Sequence, residues 1–239
     1  MLGALILLII NLLVLGWAGQ GPKALGPDRP GRRAVEIAAG LLVAGAFAAL
    51  QMLVLARLAG FEWIPNPDYS LPALYEGLRW NLSSVLFEEL IFRGALLWLA
   101  IRWLRPVRAT LLSAACFGAY HWFSYGMLGD PVAMAYVFVF TGAFGAMLAW
   151  AFAWSRGVGL PIALHLGWNV VSNEAFSNGP LGERWLLAAG EDMQVLGGGE
   201  QLLVSAGIPL ALPLLVLLAM NGPMRRWRCP LEGVSREKE

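Results

Sequence analysis

Long apolar segments constrain this chain more than any other feature of its sequence. A helix that crosses a bilayer needs about 20 predominantly apolar residues, and seven stretches of the chain meet that requirement. Prolines, glycines and charged residues separate these stretches, as is typical of turns and loops. We therefore predict an all-α bundle of about seven membrane-spanning helices, at 2–19, 34–56, 81–101, 109–128, 132–154, 159–177 and 202–220.

The composition supports a membrane environment. Of the 239 residues, 58% are hydrophobic and 14% are charged, and the mean hydropathy is +0.63. Soluble domains carry about 25% charged residues, so this chain has too little polar surface to cover itself in water. We expect lipid to be the solvent for most of it. The net charge of +1 gives no indication of a nucleic-acid partner.

We divide the single integral domain into three parts. Residues 1–80 contain two spans and an interfacial segment with amphipathic aromatic residues, which favour the membrane–water boundary. Residues 81–178 form the core that carries the ionisable groups within the spans. Residues 179–239 contain a polar loop, the last span and a basic tail. Within that part, 181–200 is Gly-rich and acidic, and we predict a semi-ordered loop with a short helix.

Basic residues indicate how the chain is oriented. Loops on the cytoplasmic side carry an excess of Lys and Arg, and the basic residues of this chain fall in alternate loops. No basic segment precedes the first span, so we interpret it as a retained anchor and not as a signal peptide. We expect the cytoplasmic (inner) membrane of a prokaryote, with the N-terminus outside and the C-terminus in the cytoplasm. The residues placed inside are Lys23, Arg29, Arg32, Arg33, Arg102, Arg105, Arg108, Arg156, Arg225, Arg226 and Arg228.

The third apolar segment contains three ionisable residues, which are costly at membrane depth and therefore functional candidates. Glu88 and Glu89 are adjacent, so they lie about 100° apart around a helix and cannot share a face. Glu89 and Arg93 are four residues apart and can form an ion pair within the helix. Both glutamates could merely hold helices together by pairing with arginines, which is the interpretation we prefer for Glu89. Glu88 is left without a partner in its own helix and is therefore our candidate for a general base.

The two histidines of the chain lie in the fourth and sixth apolar segments. His121 follows Phe117 by four residues, and His165 precedes Asn169 by four, so each pair shares a helix face. A single histidine in an apolar helix is usually a hydrogen-bonded packing residue, and either histidine alone could have that role. Such hydrogen bonds between helices contribute only ~0.6 kcal/mol on average in membranes.

The depth of these groups favours a common site. At a rise of 1.5 Å per residue, Glu88 and His121 lie about 20 Å, and His165 about 13 Å, from the nearest cytoplasmic arginines of their segments. Packing residues that act independently need not agree in depth. Because the three groups lie on three different helices within a similar slab, we expect them to converge on one cavity.

These motifs resemble those of a known family. Glu88-Glu89-x-x-x-Arg93, Phe117-x-x-x-His121 and His165-x-x-x-Asn169, in this order and on separate spans, are similar to those of the CPBP family. This family contains the CAAX prenyl endopeptidases and bacteriocin-processing enzymes and is also called the abortive-infection family. The resemblance covers about residues 80–175. It implies an all-helical fold, an active site in a membrane-embedded cavity, and endopeptidase activity on a membrane-associated protein or peptide.

The resemblance also implies a role for each residue. Glu88 would activate the attacking water, and His121 would help to hold it. His165 and Asn169 would stabilise the oxyanion of the tetrahedral intermediate, where hydrogen-bond donors contribute most. Supporting roles are expected for Glu89, Arg93 and Phe117.

Three alternatives remain open. Glu88, His121 and His165 could bind zinc with an open fourth position, although the His-Glu-x-x-His motif is absent and three helices would have to supply the ligands. We favour metal-free catalysis over zinc. A non-catalytic immunity or regulatory protein that binds peptides would carry the same motifs. A transporter with a proton relay is disfavoured, because the sequence has no inverted repeat.

Overall fold

The computed structural model describes residues 1–26, 29–191 and 193–224, and within them the chain is mostly helical, as predicted. The N-terminal half contains α1 (Leu2–Trp17), a 3₁₀ turn (Pro22–Leu25), α2 (Pro30–Ala59), α3 (Leu71–Phe92), α4 (Ala95–Leu104) and α5 (Pro106–Ser124). The remainder contains α6 (Pro131–Ser155) and α7 (Gly159–Asn169), which continues into a π-helical extension (Val170–Ala175). The last helical run consists of α8 (Gly198–Leu202), a π-helical segment (Leu203–Gly207) and α9 (Ile208–Asn221). Arg225, Arg226 and Arg228 of the predicted basic tail lie outside the described residues.

In the part of the chain that the structure describes, three helical stretches are long and apolar enough to cross a membrane: the one that contains α2, α6 (Pro131–Ser155), and the run Gly198–Asn221. Helix α1 is apolar but shorter. Large apolar side chains on these helices are exposed, including Leu13, Leu42 and Leu214. Such surfaces are stable in lipid and costly in water, so the fold is that of an integral membrane protein. The count of seven spans stays a prediction.

The third predicted span is interrupted. We predicted one helix over 81–101, but α3 begins ten residues earlier, where the Ser70 hydroxyl caps its first turn, and it ends at Phe92. Helix α4 begins at Ala95. The depth of Glu88 therefore cannot be counted along one continuous helix to Arg102.

Asn11 of α1 stabilises the break between α3 and α4. Its Nδ2 atom donates to the Leu90 carbonyl oxygen across 3.1 Å, and its Oδ1 atom accepts from the backbone N–H of Ala95. A Cβ atom at Gly94 would overlap the Asn11 side chain, so only glycine fits there. An interrupted helix leaves backbone N–H and C=O groups without a partner in the helix. Asn11 pairs with two of these groups, the Leu90 carbonyl oxygen and the Ala95 N–H.

Close backbone contacts fix the helices that carry the histidines. Helix α5 packs along α6, and α7 packs along α2. A Cβ atom at Gly118 of α5 would lie 3.0 Å from the Phe138 carbonyl oxygen, and one at Gly167 of α7 would lie 2.5 Å from that of Leu41. Small residues at these crossings allow the close approach that packing in membranes requires. The adjoining apolar core lies between α2, α6, α7 and α9 and includes Ala44, Leu148, Trp154, Leu164 and Leu212.

Two short antiparallel strands add to the helical fold. Strand β1 (Glu62–Pro65) pairs with β2 (Leu186–Ala189), with Glu62 opposite Ala189 and Pro65 opposite Leu186. The prediction that the segment 181–200 is a loop with a short helix therefore omitted a strand, although α8 begins at Gly198 as a short helix. An apolar run inside the polar loop forms β2, and its pairing ties this loop to the segment after α2.

Candidate active site

Glu88 of α3 faces both histidines of the chain. Its Oε2 atom lies 3.9 Å from His121 Nε2 on α5 and 3.8 Å from His165 Nε2 on α7. The three side chains are 13%, 6% and 12% exposed. Among the described residues, the buried Glu88 Oε2 atom has no hydrogen-bond partner. Three of the four predicted catalytic side chains thus meet at one point.

The hydrogen bonds of the two imidazoles fix which ring nitrogen carries the proton. His121 Nδ1 lies 2.8 Å from the Phe117 carbonyl oxygen, and His165 Nδ1 lies 2.8 Å from Glu89 Oε1. Both of these oxygens accept, so each Nδ1 is the donor. In the neutral imidazole, each Nε2 is then an acceptor. The cluster consequently directs two nitrogen lone pairs and one carboxylate oxygen towards one another.

The predicted ion pair between Glu89 and Arg93 is confirmed. Arg93 Nη1 lies 3.0 Å from Glu89 Oε1, and both side chains are fully buried. Arg93 Nη2 also donates to the Gly145 carbonyl oxygen across 3.1 Å. Since Glu89 Oε1 accepts from His165 as well, this ion pair also holds an imidazole of the cluster.

Phe117 packs against three groups of the cluster. Its ring meets that of His121 edge-on with centroids 4.4 Å apart, and the ring of His165 lies 6.1 Å away. The Arg93 guanidinium carbon is 4.2 Å from the Phe117 ring centroid, within the range of a cation–π interaction. Phe117 therefore holds its neighbours with both its ring and its carbonyl oxygen.

Asn169 is the last residue of α7, four residues after His165. Its side chain forms no hydrogen bond with any other residue that the structure describes. The structure thus places Asn169 on the helix that carries His165, without joining it to Glu88 or to either imidazole.

Glu88, His121 and His165 are the residues that would hold zinc in the alternative scheme. The donor types suit zinc, and zinc-bound histidines commonly donate their other ring N–H to a carboxylate or carbonyl. However, two ligands of a tetrahedral zinc ion lie about 3.3 Å apart, whereas Glu88 lies 3.8 and 3.9 Å from the imidazole nitrogens. Within the described ranges, no group of three or more His, Cys, Asp or Glu side chains is arranged to hold a metal ion. The side chains as placed do not fit a zinc centre.

Two tyrosines beside His121 were missed by the sequence analysis. The ring centroids of Tyr120 and Tyr125 lie 5.3 and 5.0 Å from that of His121. Tyr125 follows His121 by four residues, so the helical spacing was a signal that could have found it. Together with Phe117, these rings surround the imidazole.

A second polar cluster, also missed, lies around Glu174 in the π-helical extension of α7. Glu174 is buried and accepts hydrogen bonds from Arg184 Nε at 3.0 Å and Nη2 at 2.9 Å, and from the Tyr69 hydroxyl at 2.5 Å. Burial and the Glu174 carboxylate raise the pKa of Tyr69 to about 12, and the hydrogen bonds to Glu174 raise the pKa of Arg184. Arg184 also donates to the Ala73 carbonyl oxygen. This cluster fastens the acidic loop to the start of α3.

A pair of asparagines links α3 to the same extension of α7. Asn173 Nδ2 donates to Asn81 Oδ1 across 2.9 Å, and Asn81, which is fully buried, donates to the Gly77 carbonyl oxygen. Along α3, the asparagine pair lies between the Glu174 cluster and Glu88. Polar contacts therefore join α3 to α7 at Glu89 and to the extension of α7 at Asn81.

These features define a class: a helical integral membrane protein with a buried carboxylate–imidazole site built from three helices. Residues 70–171 match the family model described as type II CAAX prenyl endopeptidase Rce1-like. This stretch contains Glu88, His121, His165 and Asn169, and the match confirms the resemblance to the CPBP family over this part of the chain. At the family level, the match supports a CAAX-type intramembrane protease. No curated protein and no solved structure matches the chain.

Proposed function

We propose that this chain is an intramembrane endopeptidase in which Glu88 activates water to hydrolyse a peptide bond of a membrane-associated protein or peptide. The observation that carries the proposal is the position of Glu88 Oε2, which is buried, has no hydrogen-bond partner among the described residues and faces both imidazoles. A buried polar atom without a partner is uncommon in proteins, and a catalytic role is one of the explanations for it; the position of Glu88 Oε2 between two imidazoles favours that role.

The spacing of the cluster suits a bound water molecule. Distances of 3.8 and 3.9 Å between acceptor atoms are too long for direct hydrogen bonds and are typical of groups bridged by water. Water has two hydrogens to donate, so it can donate one to Glu88 Oε2 and the other to His121 Nε2. Its oxygen lone pair is then free to attack a substrate carbonyl carbon.

Proton transfer through Glu88 completes the proposed reaction. As the water oxygen bonds to the carbonyl carbon, Glu88 accepts a proton from the water. When the tetrahedral intermediate collapses and the C–N bond breaks, Glu88 returns that proton to the leaving amine. Such positioned acid–base catalysis accelerates reactions by about 10² to 10⁴-fold.

His165 is the proposed donor to the oxyanion. The Glu89 carboxylate accepts the hydrogen bond from its Nδ1–H and fixes the orientation of the ring, and the proposed scheme requires a proton from solvent on Nε2 for this atom to donate to the developing negative charge. Asn169, one turn further along α7, is the proposed second donor. Each such donor contributes about 10² to 10³-fold in kcat. Glu89, Arg93 and Phe117 position the imidazoles in this scheme.

The membrane arrangement is part of the proposal. We infer about seven spans with the N-terminus outside and the C-terminus in the cytoplasm, in the cytoplasmic membrane of a prokaryote. The alternation of basic residues along the sequence and the exposed apolar faces of the helices support this arrangement. The family suggests two substrate classes, CAAX-type proteins and leader peptides.

Comparative proteomics tests the proposed activity. Cells that produce the wild type are compared with cells that produce Glu88→Gln, and the termini of membrane-associated peptides are identified by mass spectrometry. We expect new termini that require the wild type and disappear in the variant. Glu76→Gln, an exposed glutamate on the same helix, is the matched control and should retain them. Identical termini with wild type and Glu88→Gln would contradict proteolysis and favour the non-catalytic peptide-binding alternative.

A further inference from the structure

The turn between α4 and α5 carries exposed basic side chains that the proposed reaction does not use. Arg102 lies in the last turn of α4, Arg105 lies between the two helices, and Arg108 lies in the first turn of α5. All three residues are exposed. No Asp or Glu occurs between positions 90 and 129, so no acidic residue nearby in the sequence compensates their charge.

The neighbouring 3₁₀ turn adds a fourth cation. Trp98 of α4 packs against the apolar cluster that contains Leu25 of this turn, and the guanidinium carbon of Arg102 lies 4.9 Å from the Trp98 ring centroid. Lys23, two residues before Leu25, is exposed. Within the described ranges, none of these basic side chains forms an ion pair with another residue. We call these four residues the basic corner: Lys23, Arg102, Arg105 and Arg108.

Large apolar side chains alternate with the arginines of the basic corner. Trp103 is 73% exposed, Val107 is 59% exposed and Leu111 is 61% exposed. Such side chains are costly in water, whereas arginines are costly in the hydrocarbon core. A surface that carries both is stable at the level of the phospholipid headgroups, where Trp is enriched and long Arg side chains reach the polar layer. The basic corner therefore suits a membrane boundary.

We propose that the basic corner binds the headgroup of an anionic phospholipid from the cytoplasmic leaflet. A guanidinium group donates two parallel hydrogen bonds to a phosphate, and clusters of basic residues beside membrane helices attract anionic headgroups. The exposed side chains of Trp103 and Val107 would contact the acyl chains of the same lipid. A free phosphate has no acyl chain to cover these side chains, which favours a lipid as the occupant.

A lipid at the basic corner would contact two helices that lead to the candidate active site. Helix α4 begins just after the break beside Arg93, and α5 carries Phe117 and His121. The bound lipid should hold the joined ends of α4 and α5 together and raise the Tm. Lipid binding does not require peptidase activity, so its failure would leave the proposed function standing.

Native mass spectrometry of the full chain, purified in a neutral detergent, tests this lipid site. The protein is titrated with dioleoylphosphatidylglycerol, which is anionic, and with dioleoylphosphatidylcholine, which has the same acyl chains and a zwitterionic headgroup. We expect the wild type to bind the anionic lipid more tightly. Arg105→Gln combined with Arg108→Gln should raise the Kd for phosphatidylglycerol by about 10- to 30-fold, because each basic residue near an anionic surface contributes about fivefold. Phosphatidylglycerol should also raise the Tm of the wild type more than that of this variant.

The matched control removes two exposed arginines elsewhere, Arg57 on α2 and Arg79 on α3. Arg57→Gln combined with Arg79→Gln changes the net charge equally and should keep the wild-type Kd, and both double variants should keep the wild-type Tm without lipid. Equal binding of the two lipids by the wild type, or an equal loss of preference in both variants, would overturn the proposal. Displacement of phosphatidylglycerol by inorganic phosphate would also overturn it, in favour of a site for free anions.

Discussion

Nδ1 of His165 lies 2.8 Å from Glu89 Oε1, the oxygen that also accepts a hydrogen bond from Arg93 at 3.0 Å. The ion pair that the sequence predicts as a structural element therefore touches the candidate active site directly. The two adjacent glutamates have different neighbours as a result: Oε1 of Glu89 pairs with Arg93 and His165, whereas Glu88 Oε2 faces both imidazoles at 3.8 and 3.9 Å without a hydrogen bond among the described residues. We therefore propose that Glu88 takes part in the chemistry and that Glu89 positions His165.

Glu89→Ala should strongly destabilise the protein. The change leaves the guanidinium of Arg93 fully buried without its carboxylate, and breaking a buried ion pair in this way costs about 3–5 kcal/mol. Thermal unfolding in detergent measures the effect as a lowered Tm. Glu76→Ala, an exposed position on α3, is the control with little expected change. Equal Tm values for the two variants would contradict the role of Glu89.

His121→Ala should remove catalysis without unfolding the protein. The imidazole forms its hydrogen bond within its own helix, to Phe117, so its loss breaks no hydrogen bond between helices. We expect kcat to fall by about 10² to 10⁴-fold, with a near-native Tm. The exposed Ser124 of the same helix provides the control variant Ser124→Ala. A kcat within a few-fold of wild type would show that His121 takes no part in the reaction.

Arg184→Ala should release the acidic loop. The variant leaves the buried carboxylate of Glu174 without its bidentate partner, and an unpaired buried charge is costly. Residues 176–190 should then be cut by an added protease at least about ten times faster, because cleavage tracks local opening. The neighbouring exposed residue provides the control Glu183→Ala. Equal cleavage rates in the two variants would mean that the Glu174 cluster does not hold the loop.

Treatment with a strong chelator should leave peptide cleavage unchanged. The distances of 3.8 and 3.9 Å within the cluster exceed the spacing of ligands around a tetrahedral zinc ion, about 3.3 Å. The measurement is kcat/KM before and after chelation, with metal analysis of the purified protein. Loss of activity that zinc alone restores would establish the zinc-dependent alternative in place of the metal-free scheme.

Relationships within one helix could be predicted from the sequence. The ion pair of Glu89 and Arg93 and the spacing of His121 from Phe117 follow from helical geometry alone. The meeting of Glu88 with His121 and His165 was inferred from their cost at membrane depth and from the order of the motifs. These inferences succeed because an ionisable group in an apolar segment has few stable environments.

Relationships between distant segments could not be predicted in the same way. The helix break at Arg93 and Gly94 depends on Asn11, a polar residue about 80 positions earlier in an apolar segment. The contact of His165 with Glu89 joins residues on α7 and α3, and the Glu174 cluster joins Tyr69 to a loop more than 100 residues away. No local periodicity encodes such contacts, because packing between elements decides them.

The most direct test of the account is the activity of Glu88→Gln in purified form, reconstituted in proteoliposomes with a peptide substrate that the terminal proteomics identifies. Glutamine keeps the size of the side chain but removes the base, and Glu88 Oε2 has no hydrogen bond to lose among the described residues. We predict that kcat/KM falls by at least about 10²-fold while the Tm stays near that of the wild type. Cleavage by a folded Glu88→Gln protein at the wild-type rate would contradict the claim that Glu88 activates water.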